Sequence, residues 1–230
     1  MGNATIWSGV LLSTSIWLWI IRRYDRLSPE PFKLLIRIGL IGGFCSVFIA
    51  GICNNLFQAA LSINANTMTN VQALILAIFV GVNEETCKGF ITIALIRHLK
   101  EFDEPIDALI YAMTVALGFA MFENLEYATI YGSGVLLERA LMSIPAHLAF
   151  ASIWGYGIMK AKYVYQDRSP YAAVLPYILL AALCHTAFDY FLFLKSLSVL
   201  LIFPLLVGLM VFAHRRLLEL SPKNYFKHPY

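Results

Sequence analysis

The stretch GVNEETCKGF (residues 81–90) sets two glutamates and a lysine in the middle of an otherwise apolar run, 71–96. That run is long enough to cross a bilayer, for which a helix needs about 20 apolar residues. A charged side chain at such depth is unfavourable by on the order of 2.5–3.5 kcal/mol on insertion scales, and it usually faces a bundle interior and marks function. What Glu84, Glu85 and Lys88 do there decides both the fold class and the search for a reactive centre.

Composition points the same way. The 230-residue chain is 60% hydrophobic and 13% charged, with a mean hydropathy of +0.71, against roughly 25% charged residues in a soluble domain. It has too few polar groups to cover its own surface, so lipid must cover part of it. The net charge of +3 is spread over dispersed basic residues, with no basic stripe interleaved with aromatics. Nucleic acid is therefore not an expected partner. Cys45, Cys53, Cys87 and Cys184 fall in or beside apolar runs without CxxC spacing, as thiols used for packing do. No internal repeat or low-complexity tract is visible, and the expectation is a single domain over 1–230.

Seven apolar runs read as spans: 4–21, 34–53, 71–96, 105–130, 138–160, 171–193 and 197–213. The first has neither a basic segment before it nor a small-residue cleavage site, so it reads as a retained span. Lys and Arg set the orientation. With the N-terminus outside, the inner segments hold Arg22, Arg23, Arg26, Lys33, Arg97, Lys100, Lys160, Lys162, Arg168, Arg215, Arg216, Lys223 and Lys227. The outer ones hold Arg139 and Lys195, a division of 13 against 2. The positive-inside rule then predicts an all-α polytopic bundle, N-terminus out and C-terminus in.

Glu84, Glu85 and Lys88 on the third span are joined at depth by Glu123 and Glu126 on the fourth, His147 on the fifth, and His185 and Asp189 on the sixth. Arg37 is close enough to an inner end to snorkel. At a rise of about 1.5 Å per residue, His147 lies roughly 13 Å from the outer side, and His185 and Glu123 about 12 Å. Glu84 lies about 20 Å down, or about 14 Å if its helix starts a turn later. The groups converge on one layer in the outer half. His185 and Asp189, and likewise Glu84 and Lys88, are i, i+4 pairs on shared faces. Glu84 and Glu85 point about 100° apart, so one of the two faces the reacting centre. Asn124 and Tyr127 are placed to hydrogen-bond Glu123 or a substrate. Glu126, a turn further out, reads as interfacial, and the GxxxG of Gly39 and Gly43 as a close helix contact.

Such a set suits hydrolysis. A desolvated carboxylate can take a proton from water. Two imidazoles and a carboxylate match a catalytic zinc with an open fourth position, and without metal the imidazoles could stabilise an oxyanion as donors. There is no HExxH helix, no GxSxG and no serine paired with either histidine.

Five segments in order resemble the PrsW-type intramembrane proteases, within the wider CAAX-protease and bacteriocin-processing superfamily. They are YDRLSPEP after the first span, EETCK as an EExxK, DALIYAMTVALGFAMFENLEY with its FENxxY, SIPAH, and HTAFD. Ala112 stands where the family often has glycine. The resemblance implies a protease of the plasma membrane, with Glu84 and Glu85 as the water-activating pair and Lys88 tuning them. Glu123 takes the place of the FxxxH histidine of CAAX-type relatives. His147 and His185 are the remaining motif histidines, and Asp189 stands where relatives carry Asn or Asp. It further implies a membrane-anchored substrate, of the anti-sigma-factor kind, cut on its outer side, with or without zinc. Glu123, His147, His185 and Asp189 form the candidate zinc shell. A CAAX-type prenyl protease is the rival enzyme, disfavoured by FxxxE in place of FxxxH. A proton-coupled transporter is the rival from another class, disfavoured by the lack of a repeat and of polar groups reaching the inner face.

Overall fold

A computed structural model describes residues 3–26, 28–64, 67–165, 169–194 and 201–220. Among these, all regular structure is helical. The helices are α1 (Asn3–Arg22), α2 (Phe32–Ala60), α3 (Asn70–Ile96), α4 (Asp107–Tyr131), the short α5 (Leu136–Leu141), α6 (Ser143–Tyr163), α7 (Pro170–Phe193) and α8 (Ile202–Leu220), with one 3-10 turn at Ser133–Val135.

Local chemistry explains the ends. Pro31 precedes α2 and Pro170 opens α7, positions where a missing N–H is harmless. Thr69 caps α3 in a reciprocal capping box with Gln72. α4 stops at Gly132, whose φ of +86° suits a residue without a Cβ. Pro145 clashes with a helical carbonyl four residues earlier, at Leu141, where α5 ends.

Several sequence boundaries need correction. The second run continues to Ala60, so residues 54–60, expected in an outer loop, are helical. The fifth is broken at Met142 into α5 and α6 by Pro145, a break that hydropathy alone hides. The last is displaced towards the C-terminus. Five stretches are long and apolar enough to cross a membrane: Ala4–Arg22, Phe32–Ala60, Asp107–Tyr131, Ser133–Tyr163 and Pro170–Phe193. α3 and α8 fall outside that set; α3 carries Asn83, Glu84, Glu85 and Lys88 at mid-length. Arg168, Lys195, Lys223 and Lys227, used to assign orientation, lie outside the described residues.

Neighbouring helices alternate in direction. α2 and α4 run parallel, Gly39 against Thr114 and Gly43 against Gly118. α3 runs antiparallel to α7, with Gly81 on Thr186 and Gly89 on Ile178. α4 and α6 are antiparallel, Gly155 packing on Ala112 and Ala108. The GxxxG behaves as expected: a Cβ on Gly118 would overlap the Gly39 carbonyl, so this seam depends on glycine on both sides. α4 is the central helix, buried at every position from 107 to 120. The outer helices expose large apolar side chains, such as Leu12 and Ile16 on α1, Phe44 and Phe48 on α2, and Leu179 and Leu183 on α7. Exposed apolar surface on this scale belongs in lipid. The chain is a multi-pass membrane protein. Its four cysteines are free thiols.

Candidate active site

A cavity of about 690 Å³ opens between α2, α3, α4, α6 and α7. Glu84, Glu123, His147, His185 and Asp189 line it, with Glu126 and Arg139 nearer its mouth. Gln58, Met68, Tyr131 and Phe193, also in its wall, belong to the ends of α2, α4 and α7 and the approach to α3, so the cavity reaches that end of the bundle.

The two adjacent glutamates separate as helical geometry requires. Glu84 faces the cavity, accepting from Asn54 Nδ2 at 3.2 Å, with Lys88 Nζ 3.4 Å from its other oxygen. Glu85 is fully buried on the neighbouring face. Its Oε1 receives Lys88 Nζ at 2.6 Å and His185 Nδ1 at 2.9 Å, and its Oε2 the Trp154 indole N–H at 2.9 Å. The closer partner of Lys88 is thus Glu85, at i+3, and not the i+4 partner Glu84.

Lys88 is enclosed by acceptors. Its Nζ lies 3.2 Å from His147 Nδ1 and 4.1 Å above the centre of the Phe119 ring. An ammonium can only donate, so His147 Nδ1 accepts and its proton sits on Nε2. That Nε2–H donates to Glu123 Oε2 at 3.0 Å. Glu123 also receives Arg139 Nη2 at 2.7 Å. Arg139, which the sequence puts on the outer side at the start of the fifth span, reaches Asn124 at 2.5 Å and Ser143 at 3.1 Å, and lies 3.9 Å over the Tyr127 ring.

His185 is held in one orientation. Its Nδ1–H is committed to Glu85, which leaves the Nε2 lone pair towards the cavity, 3.9 Å from Glu84 Oε2 and 3.5 Å from Asp189 Oδ2. A carboxylate behind a histidine in this way fixes its tautomer and raises its basicity as a ligand. The two imidazoles meet edge to face, centroids 5.5 Å apart. Seven of the eight polar groups singled out at depth thus lie in or beside one site, and the eighth, Glu126, stands exposed at its mouth. Sequence reasoning did not find Asn54, Arg139 or Trp154. Arg139 sits among polar residues at a span end, and no spacing rule identifies the partner of an indole.

One atom each of Glu84, His147 and His185 come within 4.8 Å of one another, all three residues buried. Around them four carboxylates (Glu84, Glu85, Glu123, Asp189) face two fixed cations, Lys88 and Arg139, an excess that a divalent ion would balance. Donor type and charge therefore fit a metal, although each nitrogen of His147 would have to exchange its present partner to bind one.

The chain matches the family described as PrsW family intramembrane metalloprotease over residues 30–214. The chain belongs to this PrsW family. It is similar to the Protease PrsW of Clostridioides difficile (strain 630), 34% identical over 78% of this chain and 76% of the relative. It is also similar to those of Geobacillus kaustophilus (strain HTA426), at 30% over 75% and 72%, and of Oceanobacillus iheyensis, at 30% over 82% and 83%. No solved structure matches it. A PrsW-family chain is a membrane protease, which sets aside the transporter reading. Glu84, Glu85, Lys88, Glu123, His147 and His185 all lie inside the matched region, as does Asp189.

Proposed function

We propose that this PrsW-family protein hydrolyses a peptide bond of a membrane-anchored protein, of the anti-sigma-factor kind, with Glu84 as general base. The observation that carries this is the meeting of Glu84, His147 and His185 within 4.8 Å on a cavity wall. Glu84 takes a proton from water as the water oxygen bonds to the scissile carbonyl carbon. The carbonyl oxygen becomes an oxyanion, which His185 stabilises as a donor in the state where its Nε2 also carries a proton. Collapse breaks the C–N bond, and the proton held on Glu84 passes to the leaving amine. Lys88 and Trp154 fix Glu85, and Glu85 fixes His185. Arg139 holds Glu123 against His147.

A divalent metal, when bound, would polarise the carbonyl and make water more acidic. His147 and His185, with Asp189 or Glu123, are the residues that would hold it. Glu84 serves the same water, a role that itself demands closeness to both rings.

Alternating helices and the Lys and Arg distribution support a topology with the N-terminus out, the C-terminus in and seven crossings of the plasma membrane. Counted from Tyr131, Glu123 lies about 12 Å below the outer end of α4, and the cavity reaches that end. The cut then falls in the outer half of a substrate span. Mass spectrometry of fragments from single-pass proteins co-reconstituted in liposomes tests this. The expected cut lies about two to three helical turns, or about 11–16 Å, inside the substrate's outer membrane boundary. Cuts confined to the inner half would overturn it.

A further inference from the structure

A second group of acids lies at the opposite end of the bundle, where α1 joins α2 and α3 joins α4. Asp25 Oδ2 accepts from the Glu30 backbone N–H at 2.7 Å, and Asp107 Oδ2 from those of Asp103 and Glu104 at 3.1 and 2.6 Å. One oxygen of each aspartate is thereby used. The other, Oδ1 in both, is buried and has no donor among the described residues, and the same holds for Glu104 Oε2 and Glu30 Oε2. Asp25 is 3% exposed and Asp107 1%. A buried acceptor without a donor is destabilising by about 1–3 kcal/mol, and more when charged.

The nearby cations do not answer this need. Arg22 Nε donates to the Glu30 backbone carbonyl at 2.8 Å, and Lys162 Nζ to the Phe102 backbone carbonyl. Among the described residues no ion pair reaches these four carboxylates. Yet Asp25, Glu104 and Asp107 each bring one oxygen to within 4.8 Å of the others.

We infer that Asp25, Glu104 and Asp107 form a binding site for a hard divalent cation that joins the α1–α2 and α3–α4 connections. Ligands that are all oxygen select calcium, magnesium or manganese, whereas imidazole favours zinc. Oxygens bound to calcium at 2.3–2.6 Å lie up to about 5 Å apart across the ion, in keeping with the observed spacing. The site is separate from the catalytic one: Asp107 precedes Glu123 by sixteen residues on α4, about 24 Å. An ion here would supply the absent partners of the buried oxygens and fasten four helix ends.

Calorimetric titration of the purified full chain in detergent, after chelator treatment, tests the inference with Ca²⁺, Mg²⁺ and Mn²⁺, alongside thermal unfolding. The wild type is expected to bind one hard cation per chain and to gain Tm. Affinity is expected to fall about tenfold or more in Glu104→Gln and in Asp25→Asn, and to be unchanged in Glu84→Gln. Glu104 is partly exposed, so its variant should fold even if Asp25→Asn does not. No hard-cation binding at millimolar concentration would overturn the inference, as would unaltered affinity in the folded variants or loss in Glu84→Gln instead. The Glu84→Gln arm keeps this outcome apart from the proteolytic reading.

Discussion

At the scale of single residues, Lys88 has the most to compensate. It is fully buried, yet its ammonium touches Glu85, Glu84, His147 and the face of Phe119. Removing one member of a buried ion pair leaves an uncompensated charge, at a loss of about 3–5 kcal/mol, whereas removing both can be nearly neutral. Lys88→Met is accordingly expected to lower thermal stability in detergent sharply, and Glu85→Gln/Lys88→Met to recover much of it. Equal instability of the single and double variants would show that the pair is not the source. This cluster was legible in the sequence because ionisable groups are conspicuous in apolar runs. The division of labour between Glu84 and Glu85 was not. Adjacent residues on a helix always diverge, and only the packing of α3 against α7 and Trp154 tells which one meets the cavity.

At the scale of elements, glycine contacts position the site. Gly43 and Gly118 bring α2 and α4 together just below Phe119 and Glu123, and Gly81 lets α3 approach Thr186 of α7, four residues before Glu85. Overpacking such a seam is destabilising by typically about 1–3 kcal/mol. Gly118→Ala is expected to lower Tm and activity together. Gly208→Ala on α8, where a Cβ meets nothing, should leave Tm unchanged or raise it slightly, since alanine favours helix by roughly 0.5–1 kcal/mol. Matching losses in both variants would remove the seam from the explanation. The GxxxG was visible in the sequence; the glycine opposite it was not, because a seam has two sides and the partner depends on tertiary contact. The break at Met142 likewise escaped a hydropathy reading, though Pro145 gives its physical cause.

At the scale of the molecule, the proposed topology puts the catalytic end outside and the acidic end inside. A cysteine placed at Ser62, in a background where the four native cysteines are alanine, should react with an impermeant maleimide in intact cells. One at His98 should react only after permeabilisation. The reverse pattern would invert the topology and with it the side of cleavage. The helical bundle was readable from hydropathy alone, except that α3 and α8 do not pass as spans by length and composition. The residues that lower the hydropathy of α3 are those of the site.

The most direct measurement is single-turnover cleavage of a co-reconstituted single-pass substrate by wild type and by Glu84→Gln, with substrate binding measured in parallel. Loss of a general base should slow the bond-breaking step by about 10²–10⁴-fold while binding is kept. Cleavage by Glu84→Gln at the wild-type rate would contradict the assignment of Glu84 as the group that activates water.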